Sequence, residues 1–170
     1  VDVSSIPEKI QNNIEFKVIQ DDLVITNLDD DITDKLRSEK IAISASELSA
    51  SAEVRNALFD IQRSFYTPEG LVADGRDMGT VVFKDAKLKL YLTASVEVRA
   101  NRRYLELQKR GQEVNMLALI ADIEQRDFKD SSRKLSPLLP ADDAYIIDSS
   151  EMSLEEVFEI SKNLIEEEYI

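Results

Sequence analysis

Apolar and polar residues alternate along IEFKVIQDDLVITNL on both sides of Gln20-Asp21-Asp22. That two-residue period predicts a β-hairpin with strands near 14–19 and 22–27. Three consecutive aspartates follow (Asp29, Asp30, Asp31). They read as a turn and a helix start rather than a metal site, because no oxygen-ligand spacing surrounds them. With Thr33 as N-cap, DKLRSEKIAISASEL is helix-compatible. After a serine-rich break, Val54, Leu58, Ile61 and Phe65 recur at helical spacing and mark one face of a second helix, which Pro68 and Gly70 are expected to end.

The second half of the chain changes character. LVAD (71–74), LKLYLT (88–93) and AYIID (144–148) are short apolar runs that read as buried strands. Between them, residues 97–110 read as a helix stopped by Gly111, and Asn115 caps another that runs to about Lys129. Ser153-Leu154-Glu155-Glu156 is a capping box opening a last helix. Strands alternating with helices predict an α/β fold, a parallel sheet flanked by helices. Ligands in such folds sit beyond the carboxyl ends of the strands. DGRDMG follows LVAD at such an end, and three of the four glycines in the chain (Gly70, Gly75, Gly79) lie within it or beside it.

Composition narrows the chemistry. A length of 170 residues with 43% hydrophobic and 32% charged residues fits one globular domain. No apolar run approaches the length of a membrane span and none resembles a signal peptide. The lack of cysteine, hence of disulfides, fits the expectation of a cytoplasmic protein. With neither cysteine nor histidine, thiol nucleophiles, histidine bases, Ser-His-Asp triads and most zinc sites are excluded. A net charge of −13 argues against a nucleic-acid or anionic-membrane binder. Yet residues 99–134 carry nine Lys/Arg against six acids. A basic island in an acidic chain points to a small, highly charged anion, or to a solvated helix face with ordinary ion pairs.

Arg99, Arg102 and Arg103 share one side of a helix at i, i+3 and i+4, where like charges repel unless an anion visits. Arg126, Asp130 and Arg133 form a second stripe, in which Arg126 could pair with Asp130, engage phosphate, or do both. Together these features point to phosphoryl transfer, which asks a protein mainly for positioning and neutralising charge. A phosphate-oxygen acceptor is already ionised and needs no general base, so a chain without histidine loses nothing.

GLVADGRDMGTVVF, LKLYLTASVEVRANRRYLEL, RDFKDSSR and DAYIIDSSEMSLEEV, with SASELSASAEVRNAL before them, closely resemble bacterial cytidylate (CMP) kinases, of the nucleoside monophosphate kinase group of P-loop kinases. The resemblance spans nearly the whole chain in order and spacing. It implies transfer of the γ-phosphoryl of ATP to CMP or dCMP with Mg²⁺, by a protein expected to be a monomer. It also implies that Ser46, Arg55 and Asp77 read the cytosine. Arg76 and Arg133 would hold the acceptor phosphate, and Arg126 and Asp130 would meet the sugar-phosphate side. Asp74 would sit near the Mg²⁺ water shell. Arg103, with Arg99 and Arg102, would close over the transferring phosphoryl as part of a lid. The fold implied is a P-loop-kinase-like parallel sheet with a small antiparallel monophosphate-binding insert over 1–33. Core α/β parts would cover 34–98 and 135–170, with the lid and its flanking helices over 99–134.

The sequence departs from that family mildly in the lid motif, where Phe128 and Lys129 stand at positions that often carry acidic and arginine residues. It departs seriously in one further respect. It has no G-x-x-x-x-G-K-[ST] stretch, whose backbone and lysine hold ATP phosphates. The chain also opens on Val1. The expectation is that it is the carboxyl-terminal three quarters of a kinase, without the first strand of the sheet, and inactive by itself. Such a sheet would leave strands beside a gap with unpaired backbone groups. The competing expectation is a non-catalytic nucleotide-binding or interaction protein.

Overall fold

The computed structural model describes residues 2–20 and 22–169. It divides into two compact units, Val1–Val72 and Ala73–Ile170.

In the first unit, a 3₁₀ turn (Val3–Ser5) leads into α1 (Ile6–Asn13) and the hairpin β1 (Ile14–Ile19) and β2 (Asp22–Asn27). The strands pair antiparallel from Ile14 opposite Asn27 to Ile19 opposite Asp22, the boundaries that alternation predicted. Of the turn between them, Gln20 has a positive φ of 52°, while Asp21 lies outside the described residues. A two-residue strand, β3 (Asp30–Asp31), then pairs with β2.

The helix expected from Thr33 onward is two helices, α2 (Thr33–Leu36) and α3 (Glu39–Leu48). Ser38 breaks them by adopting extended backbone, and its hydroxyl donates to the Lys35 carbonyl at 2.6 Å. Thr33 is not the N-cap but the first helical residue. The Asp31 carboxylate accepts from the Thr33 N–H at 2.9 Å, while the Thr33 hydroxyl accepts from the Ile25 N–H at 2.9 Å. The third aspartate thus does the capping, since a short acceptor two residues ahead reaches the orphan donor. Helix α4 (Ala52–Ser64) buries Val54 and Ile61, and Phe65 at its end meets Phe16 of β1 edge to face at 5.4 Å. Helix α4 ends there, ahead of Pro68, and Gly70 (φ 109°) makes the turn that follows, a conformation that L side chains rarely adopt.

In the second unit, a π-helical turn (Met78–Val82) anchors the buried Val82, with Phe83 N–H donating to the Met78 carbonyl at 2.7 Å. Then follow β4 (Leu90–Thr93), α5 (Val96–Lys109), α6 (Met116–Ser131), β5 (Tyr145–Asp148) and α7 (Leu154–Tyr169). Strands β4 and β5 run parallel, Leu90 opposite Tyr145 and Thr93 opposite Asp148. Parallel strands need a crossover, and α5 and α6 supply it. The core is Val82, Ala94, Ala100, Leu107 and Ile147.

Residues 71–74 correct the sequence reading. They are not a buried strand: Val72 is 91% exposed and no ladder includes them. An apolar run becomes a strand only when a neighbouring backbone satisfies its N–H and C=O groups. Among the described residues of this unit, β4 and β5 satisfy each other.

Caps hold the helix ends that the site depends on. Gly111, at φ 73°, closes the end of α5 as expected. The Asn115 side chain accepts from Leu117 N–H (2.9 Å) and Ala118 N–H (3.1 Å) at the start of α6. Asn115→Ala is expected to cost about 1 kcal/mol by urea denaturation, as for typical cap deletions. Ahead of α7, Ser153 N–H donates to Glu156 (2.7 Å) and Glu156 N–H to the Ser153 hydroxyl (3.2 Å), the reciprocal box expected from sequence. These bonds, the backbone one first, hold the Glu156 carboxyl below its usual pKa. Among the described residues, no helix is long and apolar enough to cross a membrane.

Candidate functional site: an arginine cluster on a buried carboxylate

The last two turns of α6 present one buried residue, Asp130, which is 1% exposed. An ionised carboxylate stays buried only when paired and hydrogen-bonded. Arg76, from the DGRDMG loop 54 residues away, donates Nε–H to Asp130 Oδ2. Arg133, just past the helix, pairs with Oδ1, and Arg126 stands 4.0 Å from Oδ2. The stripe read from sequence therefore closes around Asp130, although α6 ends at Ser131 and Arg133 reaches back from outside it. Arg126 is the loosest partner, so the simple i, i+4 pair is not what satisfies Asp130.

Three guanidinium groups around one carboxylate leave an excess of two positive charges. Arg126 registers it. Its pKa lies below the ordinary arginine value, first through burial and next through the nearby Arg76, with Arg133 adding to it and Asp130 and Asp127 opposing. Arginine stays protonated at neutral pH regardless. The cluster is thus a standing cationic field with its geometry already set, the condition for binding an oxyanion at little reorganisation cost.

Arg99, Arg102 and Arg103, grouped by spacing on α5, go to three different partners. Arg99 forks onto Asp127 of α6 (Nη1–Oδ1 2.9 Å, Nη2–Oδ2 2.6 Å) and donates Nε–H to the Ala94 carbonyl at 3.0 Å. Arg102 reaches the loop after β5, donating to Ser149 Oγ (3.1 Å) and to the Ser149 carbonyl (2.7 Å). Arg103 pairs with Glu106 at 2.8 Å. Arg99 and Arg102, with Leu92, Ala94, Met152 and Val157, line a cleft of about 640 Å³ at the carboxyl ends of β4 and β5. Asp127 was not singled out by spacing, since it lies off the Arg126–Asp130 stripe. Its neighbour in the chain, Arg126, was the signal that hid it.

The remaining candidates are placed as follows. Asp77 is half-buried and opens the π turn, its carbonyl accepting from Val81 N–H at 2.9 Å. Asp74 is exposed, in an irregular stretch rather than at a strand end. Gly75 is where Met78 packs closely: a Cβ there would stand 2.9 Å from Met78 Cγ. Ser46 on α3 and Arg55 on α4 are half-buried in the unit Val1–Val72, while Asp74, Asp77 and the arginine cluster belong to the other. Among the described residues, no group of three His, Cys, Asp or Glu side chains could enclose a metal ion.

Fold and site define a class: a mixed α/β protein with a parallel strand pair, a small antiparallel sheet and a preset arginine bay suited to an oxyanion. Comparison with known proteins names the family. The cytidylate kinase family model matches residues 1–167, and the chain belongs to that family. It is 53% identical over 130 residues to a cytidylate kinase of Pseudomonas aeruginosa (strain LESB58), covering 76% of this chain and 57% of that protein. It is 45% identical over 158 residues to one from Acinetobacter baylyi, covering 93% and 70%. With one from Methylococcus capsulatus it shares 49% over 138 residues, 81% and 62% of the two lengths. The chain therefore spans under two thirds of the length of most of these relatives.

Proposed function

We propose that the protein carrying this chain transfers the γ-phosphoryl group of ATP to CMP or dCMP. The observation that carries the reading is the Arg76–Asp130–Arg133 cluster with Arg126 beside it, in a chain of this family. Its excess of two positive charges matches a phosphate monoester, which carries about −1.5 to −2 at neutral pH.

In this mechanism Arg76 and Arg133 grip the acceptor phosphate and Arg126, with Asp130, faces the sugar-phosphate side. An oxygen of that phosphate attacks the γ-phosphorus of ATP while the bond to the β-γ bridging oxygen breaks. The nucleophile is ionised beforehand, so no proton needs a base. The arginines hold the acceptor in line and offset charge as it develops on the transferring group. Asp77, with Ser46 and Arg55, reads the base: a carboxylate accepts from the exocyclic amine of cytosine but finds a carbonyl oxygen on uracil. Arg103, with Arg102, forms the donor side of a lid over 99–134, which lies between the core parts 34–98 and 135–170, and the hairpin part, 1–33, forms the monophosphate insert. Mg²⁺ would screen the ATP phosphates. An exposed carboxylate such as Asp74 fits this ion, which keeps several waters and takes one or two protein carboxylates. The protein acts as a monomer without nucleic acid.

The test is a phosphotransfer assay on the intact protein with calorimetric titration of CMP and UMP. ATP-dependent CDP formation with CMP preferred over UMP is expected. CMP binding without turnover would favour a non-catalytic nucleotide-binding module instead. Asp77→Ala is expected to weaken CMP about tenfold while leaving ATP within about twofold, the scale of one buried polar mismatch. Equal losses for both nucleotides would remove Asp77 from base reading.

A further inference from the structure

Helix α6 carries Arg126 and Asp130, and the apolar residues on its packed side, Met116, Leu119, Ile120 and Ile123, are only half-buried and lie toward its start. Asp130 is its one buried residue, and Leu117 and Phe128 are 78% and 72% exposed. Apolar packing at the start of the helix leaves the rotation of its last turns to be set by polar contacts. The strongest such contact outside the cluster is the Arg99 fork. It joins the Ala94 carbonyl, at the end of β4, to both oxygens of Asp127. Two parallel bonds from a planar guanidinium fix orientation as well as distance, which a single point charge does not. Asp127 precedes Asp130 by three residues, so the two lie about 60° apart around the helix axis. A fork on one sets the azimuth of the other.

We propose that Arg99 and Asp127 are a positioning pair for the arginine cluster, fixing the rotation of α6 so that Asp130 and Arg126 are delivered beside Arg76. The inference rests on the reading of that cluster as the acceptor-phosphate site. It gives Arg99 a role through α6 and not through contact with the donor. Arg102 does not share this role, because its bonds go to Ser149 in the loop after β5.

The experiment compares Arg99→Ala, Asp127→Ala and the double variant of the intact protein, by steady-state kinetics with CMP and ATP and by calorimetric CMP titration. Each single variant is expected to raise both the KM and the Kd for CMP about fivefold, the scale of one partly exposed ion pair, with the KM for ATP unchanged within twofold. The double variant is expected to be no worse than the worse single, since the two side chains act as one unit. If either alanine variant fails to fold, Arg99→Lys and Asp127→Asn, which keep bulk but lose the fork, carry the same expectation. A raised KM for ATP in the Arg99 variant alone would make Arg99 a donor contact and overturn the inference. So would multiplying effects, or a lowered melting temperature with both KM values unchanged, the mark of a merely structural pair. Arg133→Ala in parallel separates the two levels. An unchanged CMP affinity there removes the phosphate-site reading itself. A weakened one beside unaffected clamp variants removes only the positioning role.

Discussion

Replacing Asp130 by alanine is expected to cost the protein roughly 2–3 kcal/mol of stability, somewhat less than the 3–5 kcal/mol for breaking a fully buried pair. The discount follows from the partners: the Arg76 and Arg126 side chains are about half exposed, while Arg133 is well covered. Without the carboxylate, three guanidinium groups face one another around a hole. Their repulsion, more than any lost attraction, sets the cost. Asp130→Asn keeps the shape and removes the charge, so it should recover only a minor part. Urea denaturation of the intact protein measures both. Inorganic phosphate should stabilise the alanine variant more than the unsubstituted protein, because an added anion then replaces the lost counter-charge. A loss below about 0.5 kcal/mol would mean that Asp130 is not the hub of the cluster.

Arg133→Ala is expected to lower kcat/KM for CMP roughly 10–100-fold, the worth of one charge-assisted hydrogen bond to a phosphate oxygen. Arg133 is the best covered of the three arginines and is held against Asp130 Oδ1, so its position is set before any ligand arrives. Arg133→Lys should restore only part of the loss, since an ammonium lacks the planar fork that spans two oxygens. Kinetics are to be read on the folded fraction, because the substitution also removes a counter-ion from Asp130. A rate within about twofold of the unsubstituted protein would take the cluster out of the acceptor-phosphate role.

The candidate site was partly legible beforehand. Arg76, Arg126, Asp130 and Arg133 came from motifs and spacing, and the structure brings the four together. The Arg99–Asp127 fork was not legible, because its partners lie 28 residues apart and spacing grouped Arg99 with Arg102 and Arg103 while leaving Asp127 off any stripe. Residues 71–74 misled for a related reason. Their apolar character matches a strand, but whether they become one depends on a neighbouring backbone that local composition does not describe.

Sequence alone determined what is settled within one turn of chain. The hairpin register follows from alternation, the starts of α6 and α7 from Asn115 and Ser153, and the basic island from a count of charges. Tertiary structure decided which acid satisfies which arginine, and that Asp130 rather than a solvent-facing stripe becomes the centre. Caps and periodicity act between residues at most four apart, where chain geometry leaves few choices. Ion pairs across 28 or 54 residues form only where packing places the side chains. Desolvation then makes the chosen pairing costly to break.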